Sequence, residues 1–275
     1  METFYKITNP DGTAFHDGQT KYEVGKRVVK RKCSSPVLCS NTVIHASPTI
    51  VDALKYVKVP MAIWKVEGEP VVSDEDKAGF FSLKVLEKIE PTDELLGFRY
   101  AEACNPINPM AIRNEISDVD IAALKAWVLV WSSVWSSVRG SVRGSVRGSV
   151  RGSLWSSVWS SVWSSVGSSV RGSLWSSVWS SVWDSAGGSV WDSAGESVRD
   201  SVWDSVWDSA GAYIGSLFPN VKKWSYIKHE EGVYPFQPAV DLWRRGFVPV
   251  KIEEKWHLYG WRDGRAVSLY EGEEF

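Results

Sequence analysis

Cysteine is scarce in this chain of 275 residues. Cys33, Cys39 and Cys104 are an odd set without CxxC spacing, which points to reduced thiols and excludes a disulfide framework or a structural zinc site. Net charge is nearly absent at -2, so global electrostatics select neither a nucleic acid nor a membrane as partner. Long apolar runs are missing as well. No stretch reaches about 18 consecutive apolar residues, and the start "METFYKITNPDG" has neither the basic residues nor the apolar core of a signal peptide. Secretion and membrane spanning are therefore disfavoured, and a soluble, cytoplasmic protein is expected. No P-loop, GxGxxG, HExxH, GxSxG or EF-hand motif occurs. The residues imply no cofactor and no metal.

What the chain has instead is tryptophan. Of its 17 copies, eleven lie between Trp131 and Trp207, inside a tetrad that repeats as Ser-Val-X-Z. From Val130 to Ala210 every fourth residue is apolar: Val, except at Leu154, Leu174, Ala186, Ala194 and Ala210. X is Trp, Arg or Gly, and Z is Ser, Gly, Asp or Glu.

A four-residue period fits neither regular element directly. In an α-helix each tetrad turns the Val stripe by about 40°, so it circles the helix in roughly nine tetrads. Gly, Val and Ser are also weak helix formers. A β-solenoid accommodates the pattern, with Val pointing inward, its neighbour X outward, and Z and Ser at the corners. Trp, Arg and Gly differ too much in volume to exchange inside a packed core, which argues that X is exposed. Their codons can differ by one base, and "RGSLWSSVWSSVW" recurs at 151–163 and 171–183, as expected of tandem duplication. The expected fold is thus mainly β with flanking α+β elements: a tetrapeptide-repeat β-solenoid between two small domains. A long helical repeat is the alternative, supported by Ala126, Val130, Ile214 and Phe218, which continue the Val register on either side.

The expected divisions are an N-terminal α+β domain at 1–112, a capping helix at 113–130, the solenoid at 131–211 and a C-terminal helix and β-hairpin unit at 212–275. In the first, "TVIHAS" and "MAIWKVEG" alternate like strands and "SPTIVDALKYV" has helical spacing. "SDVDIAALKAWVLVW" reads as a capped helix starting near Ser117 or Asp118. "YPFQPAVDLWRRG" reads as a helix ended by Gly246, and Asp263-Gly264 marks a hairpin between alternating strands.

The outward X positions form the expected interaction surface: Trp131, Trp135, Trp155, Trp159, Trp163, Trp175, Trp179, Trp183, Trp191, Trp203 and Trp207, with Arg139, Arg143, Arg147 and Arg151. So many exposed indoles exceed what monomers carry, which predicts a homo-oligomer or a protein partner. Stacking of Trp on bases beside the Arg run would suit a single-stranded nucleic acid, a less favoured reading. Acids gather late in the repeat, at Asp184, Asp192, Glu196, Asp200, Asp204 and Asp208, so its two ends differ in charge.

In the N-terminal region, the order His45, helix with Tyr56, then strand followed by Glu69 resembles the core of ADP-ribosyltransferase-like domains, where such groups frame a nicotinamide cleft. That resemblance makes His45, Tyr56 and Glu69 the candidate catalytic residues. The Ser-Val-Trp-Asp tetrads together with "AYIGSLFPNVKKW" and "YPFQPAVDLWRRGFVPV" resemble uncharacterised proteins of tailed bacteriophages and metagenomes. This second likeness implies a phage-derived accessory protein, in the host cytoplasm or the virion, and carries over no catalytic residue. A non-enzymatic structural or interaction protein that self-associates through its repeat is the leading expectation, with a transferase second.

Overall fold

A computed structural model describes residues 2–145 and 199–272, together with Val162, Ser165, Trp179, Ser180 and Val182. The described residues fall into two compact units, one of residues 2–104 and one that begins at Asn105.

The first unit is built on antiparallel strands. Its larger sheet has the order β1 (Glu2–Thr8), β4 (Ala62–Gly68), β7 (Ser82–Ile89), β2 (Arg27–Val29). A smaller sheet has the order β3 (Ile44–Ala46), β6 (Ala78–Phe80), β5 (Val72–Ser73). Phe4, Ile44, Trp64, Val66, Phe80, Leu83 and Val85 form the core; alternation marks it in β1 and β7, where the chain neighbours of Phe4, Leu83 and Val85 reach solvent, whereas Ile63 and Gly79 beside Trp64 and Phe80 are buried too. Trp64 satisfies its buried indole N–H on the Thr8 hydroxyl at 2.8 Å. Short helices follow local caps. Thr49 accepts from the Asp52 N–H ahead of α1 (Ile50–Ala53), which continues as a 3-10 turn at Leu54–Tyr56. Thr92 does the same for α2 (Asp93–Leu96), ahead of α3 (Tyr100–Cys104).

The second unit contains α4 (Asp118–Ser145), α5 (Arg199–Ser216) and α6 (Gln237–Arg244), with an antiparallel sheet ordered β10 (Arg265–Glu271), β9 (Lys255–Arg262), β8 (Val248–Ile252). Helix α4 begins where its capping residues place it: Asp120 accepts from both the backbone N–H (2.8 Å) and the hydroxyl (2.6 Å) of Ser117. Helix α6 ends in a Schellman motif, with Gly246 at φ +89 and Phe247 N–H bonded to Leu242 C=O at 2.9 Å. Asp263 and Gly264 both have positive φ, as a two-residue type I′ hairpin requires. Asp118–Ser137 is the one described stretch long and apolar enough to cross a membrane, and its Leu124, Trp127 and Val134 are fully buried inside the unit.

The β-solenoid expectation is overturned. The described fold is mixed α+β with three small antiparallel sheets, and every described residue of the repeat itself is helical. The helix expected at 113–130 as a cap runs on through the first tetrads to Ser145, and the one expected after Gly211 begins at Arg199. The drift of the Val stripe does not forbid this, because within four tetrads it sweeps only about 160°, which different neighbours can cover in turn. Val134, Val162, Val182, Val206 and Ala210 are all buried. The repeat serine finds a helical partner too: the Ser137 hydroxyl bonds Ser133 C=O, one turn back, at 3.0 Å.

The exposure expected of X also fails where side chains are described. In a helix, X stands over X at i and i+4. Trp131 and Trp135 are half-buried and stacked, with centroids 5.4 Å apart and planes 8° from parallel, and Trp131 also meets the edge of Trp256 at 5.3 Å. Trp179 and Trp207, both half-buried, stack at 3.9 Å. Arg139, Arg143 and Trp203 are helical, and their side chains lie outside the description, as do residues Arg147, Arg151, Trp155, Trp159, Trp163, Trp175, Trp183 and Trp191.

Candidate functional site

The first unit carries a pocket of about 250 Å³. Three pieces of chain form it. Strand β1 supplies Tyr5, Lys6 and Ile7, and it bridges the chain just after β3, where Tyr5 and Ser47 exchange backbone bonds of 2.7 and 2.9 Å. Strand β3 contributes His45, and its other neighbour β6 is preceded by Lys77. The turn at Leu54–Tyr56 and the loops bearing Phe15, His16 and Cys39 complete the wall. The loop with Phe15 and His16 is tied by Asp17, whose carboxylate accepts from the Thr20 hydroxyl, Thr20 N–H and Gln19 N–H.

The hydrogen bonds around His45 define its state. Cys39 N–H donates to His45 Nε2 at 3.0 Å, so Nε2 carries a lone pair and the neutral ring holds its proton on Nδ1. Burial lowers the imidazole to about 4, and the positive charges of Lys6 and Lys77 add to that effect. His45 is therefore a neutral polar group at physiological pH.

The two lysines of the pocket are pushed in opposite directions. Burial pulls the half-buried Lys6 amine down to about 8, against a weaker upward pull from Asp17. Lys77 is raised above its ordinary value, first by its hydrogen bond to Cys39 Sγ at 3.0 Å and then by one to the Tyr56 hydroxyl oxygen at 3.3 Å. Its ammonium also lies 4.3 Å from the Tyr56 ring centroid, within cation-π range. Neither lysine forms an ion pair with a described carboxylate. Asp76 is engaged elsewhere: it holds Lys55 at 3.0 Å and accepts weakly from Tyr56 at 3.3 Å.

His45 and Tyr56, two of the three candidates drawn from the transferase resemblance, thus line one pocket. Glu69 does not join them: it is exposed, just beyond the end of β4. The pocket lining contains no Asp or Glu. Lys6, Lys77 and Cys39 carried no sequence signal, because a lysine in an alternating strand or a turn normally faces water. Only the pairing of β1, β3 and β6 gathers them.

No protein-family profile, curated protein or solved structure matches this chain.

Proposed function

We propose that the first unit is a binding module for a small anion that also carries a flat or apolar group. The supporting observation is the pairing of two lysines that have no described carboxylate partner with a lining that holds no acid. Lys77 stays an ammonium and supplies the fixed charge, His45 adds a neutral polar contact, and Tyr5, Phe15, Tyr56, Ile7 and Val57 supply the apolar wall. At about 250 Å³ the space suits one ring with one anionic group and falls below the usual range for larger ligands. Glycosyl transfer is not proposed, since the positive charge that develops on a sugar in such a reaction calls for a carboxylate in the pocket. Self-association through outward tryptophans is not proposed either, because its premise was an exposed X and the described X residues pack within the chain.

Titration calorimetry of the full chain with benzoate, phenyl phosphate and inorganic phosphate tests this reading. The ring-bearing anions should bind, their affinity should fall about tenfold in Lys77→Met, and the neutral analogue benzamide should not compete. Equal binding by Lys77→Met and the unaltered chain would overturn it.

A further inference from the structure

Resting on the anion-binding reading, we propose that Lys6 is a carbonyl-condensing amine: a nucleophile that forms an imine with an aldehyde or ketone whose anionic group is held by Lys77. Two lysines in one pocket perform different tasks when their surroundings differ. Lys77 is locked as an ammonium by Cys39 Sγ and the Tyr56 oxygen, and it has no lone pair to offer. Lys6 lies on a central part of β1, half-buried, with no described carboxylate within ion-pair distance and its Nζ 5.7 Å from the centroid of the Tyr22 ring. Desolvation penalises the ammonium, and the lowered value of about 8 leaves roughly a tenth of Lys6 as free amine at pH 7. An ordinary surface lysine at that pH is about 250-fold poorer in free amine. This contrast between two groups in one cavity is the arrangement that separates a fixed charge from a reactive one.

The reaction balances without any further reagent. The lone pair of Lys6 Nζ attacks the carbonyl carbon and the carbon–oxygen π pair moves to oxygen. A proton passes from nitrogen to that oxygen, a second proton arrives from solvent, and the oxygen leaves as water. What remains is a protonated C=N bond to Nζ, with no net oxidation. The positive imine then sits among apolar and aromatic walls, beside the neutral ring of His45, which adds no competing charge.

Pyridoxal 5′-phosphate serves as the probe, being an aldehyde on a flat ring with a phosphate. The full chain is mixed with less than one equivalent of probe, reduced with borohydride to fix any imine as a secondary amine, digested and mapped by mass spectrometry. The expected result is label concentrated on Lys6, rising from pH 6 to pH 9 as free amine accumulates. It should be suppressed by excess phenyl phosphate and reduced about tenfold in Lys77→Met. Lys6→Arg, which keeps the charge and cannot condense, should lose the label while its circular dichroism matches that of the unaltered chain. Label spread over exposed lysines with no preference for Lys6, while phenyl phosphate binding persists, overturns this inference and spares the anion-binding reading. Loss of phenyl phosphate binding by the unaltered chain overturns both.

Discussion

The Trp131 indole N–H donates to Asp208 at 2.6 Å, joining an early tetrad of the repeat to a late one across 77 positions of sequence. Asp208 is almost fully buried, so its charge depends on donors such as this. The acids of the late repeat, which make its two ends differ in charge, have at this position an internal use.

Trp131→Phe keeps most of the packing against Trp135 and Trp256 and removes the donor. We expect a loss of about 1–3 kcal/mol in urea-denaturation stability. The loss should shrink when Asp208→Asn is already present, because the pair then shares one interaction. Additive effects in that double-mutant cycle would refute the pairing.

Arg245 joins the end of α6 to the start of α4, with its Nε and Nη2 on the two oxygens of Asp120, the second at 2.9 Å. Burial alone would raise Asp120, but the bonds from Arg245 and Ser117 outweigh it and hold the carboxyl below its ordinary value. A depressed carboxyl contributes stability above its unfolded value, about 3.9, and that contribution fades as pH falls through the folded value. Arg245→Met should cost about 1–3 kcal/mol at pH 7, since the guanidinium is partly solvated, and should flatten the decline of Tm below pH 4. An unchanged acid limb in the variant would count against this account.

For Lys6 it is the charged form that folding penalises. Its folded value of about 8 lies below the unfolded value, so the unfolded chain binds more protons between the two and stability rises with pH across that window. Lys6→Met should therefore raise Tm at pH 7, with a smaller gain at pH 10, while Lys6→Arg should not. Thermal scans at both pH values decide this. A destabilised Lys6→Met at pH 7 would mean that the ammonium is better paired than its surroundings indicate.

Two glycines with positive φ separate backbone strain from crowding. A Cβ on Gly264 meets open space, whereas one on Gly246 lies 2.8 Å from Ile112 Cβ and 3.1 Å from its carbonyl oxygen. Gly264→Ala should cost about 1–2 kcal/mol. Gly246→Ala should cost distinctly more, because it also forces apart the α6 terminus and the 112 segment. Equal losses by chemical denaturation would contradict the placement of that segment.

Helicity of the repeat is open to a direct check. Ser137→Pro sits inside α4 and removes a backbone donor, so it should lose about 3 kcal/mol and visible helical circular dichroism. In the strand coil suggested by the sequence pattern, Ser137 would be a corner, and proline there would be tolerated. A silent substitution would contradict a helix through Ser137.

Much of the local structure was legible from residues alone. Ser117 and Asp120 announce the start of α4, Gly246 the end of α6, and Asp263-Gly264 the last hairpin, because each acts through backbone geometry within a few residues. The alternation in "MAIWKVEG" likewise marks β4 and its buried face. The sequence also marked every fourth residue of the repeat for burial, through a strictly kept Val beside freely exchanged neighbours; among the described ones Val134, Val162, Val182, Val206 and Ala210 are buried and Val130 is half-buried.

What it left open was the backbone rotation per residue. A spacing of four keeps one face at 180° per residue and drifts slowly at 100°, so both conformations bury the same Val, and the choice falls to the neighbours available to cover a drifting stripe. Those neighbours include Asp208 and Trp256 around Trp131, and no periodicity names them. The pocket was undetermined for the same reason. His45 and Tyr56 stood out as residue types, but Lys6, Cys39 and Lys77 become one site only through the order in which strands pair, and strand order is a property of the folded chain as a whole.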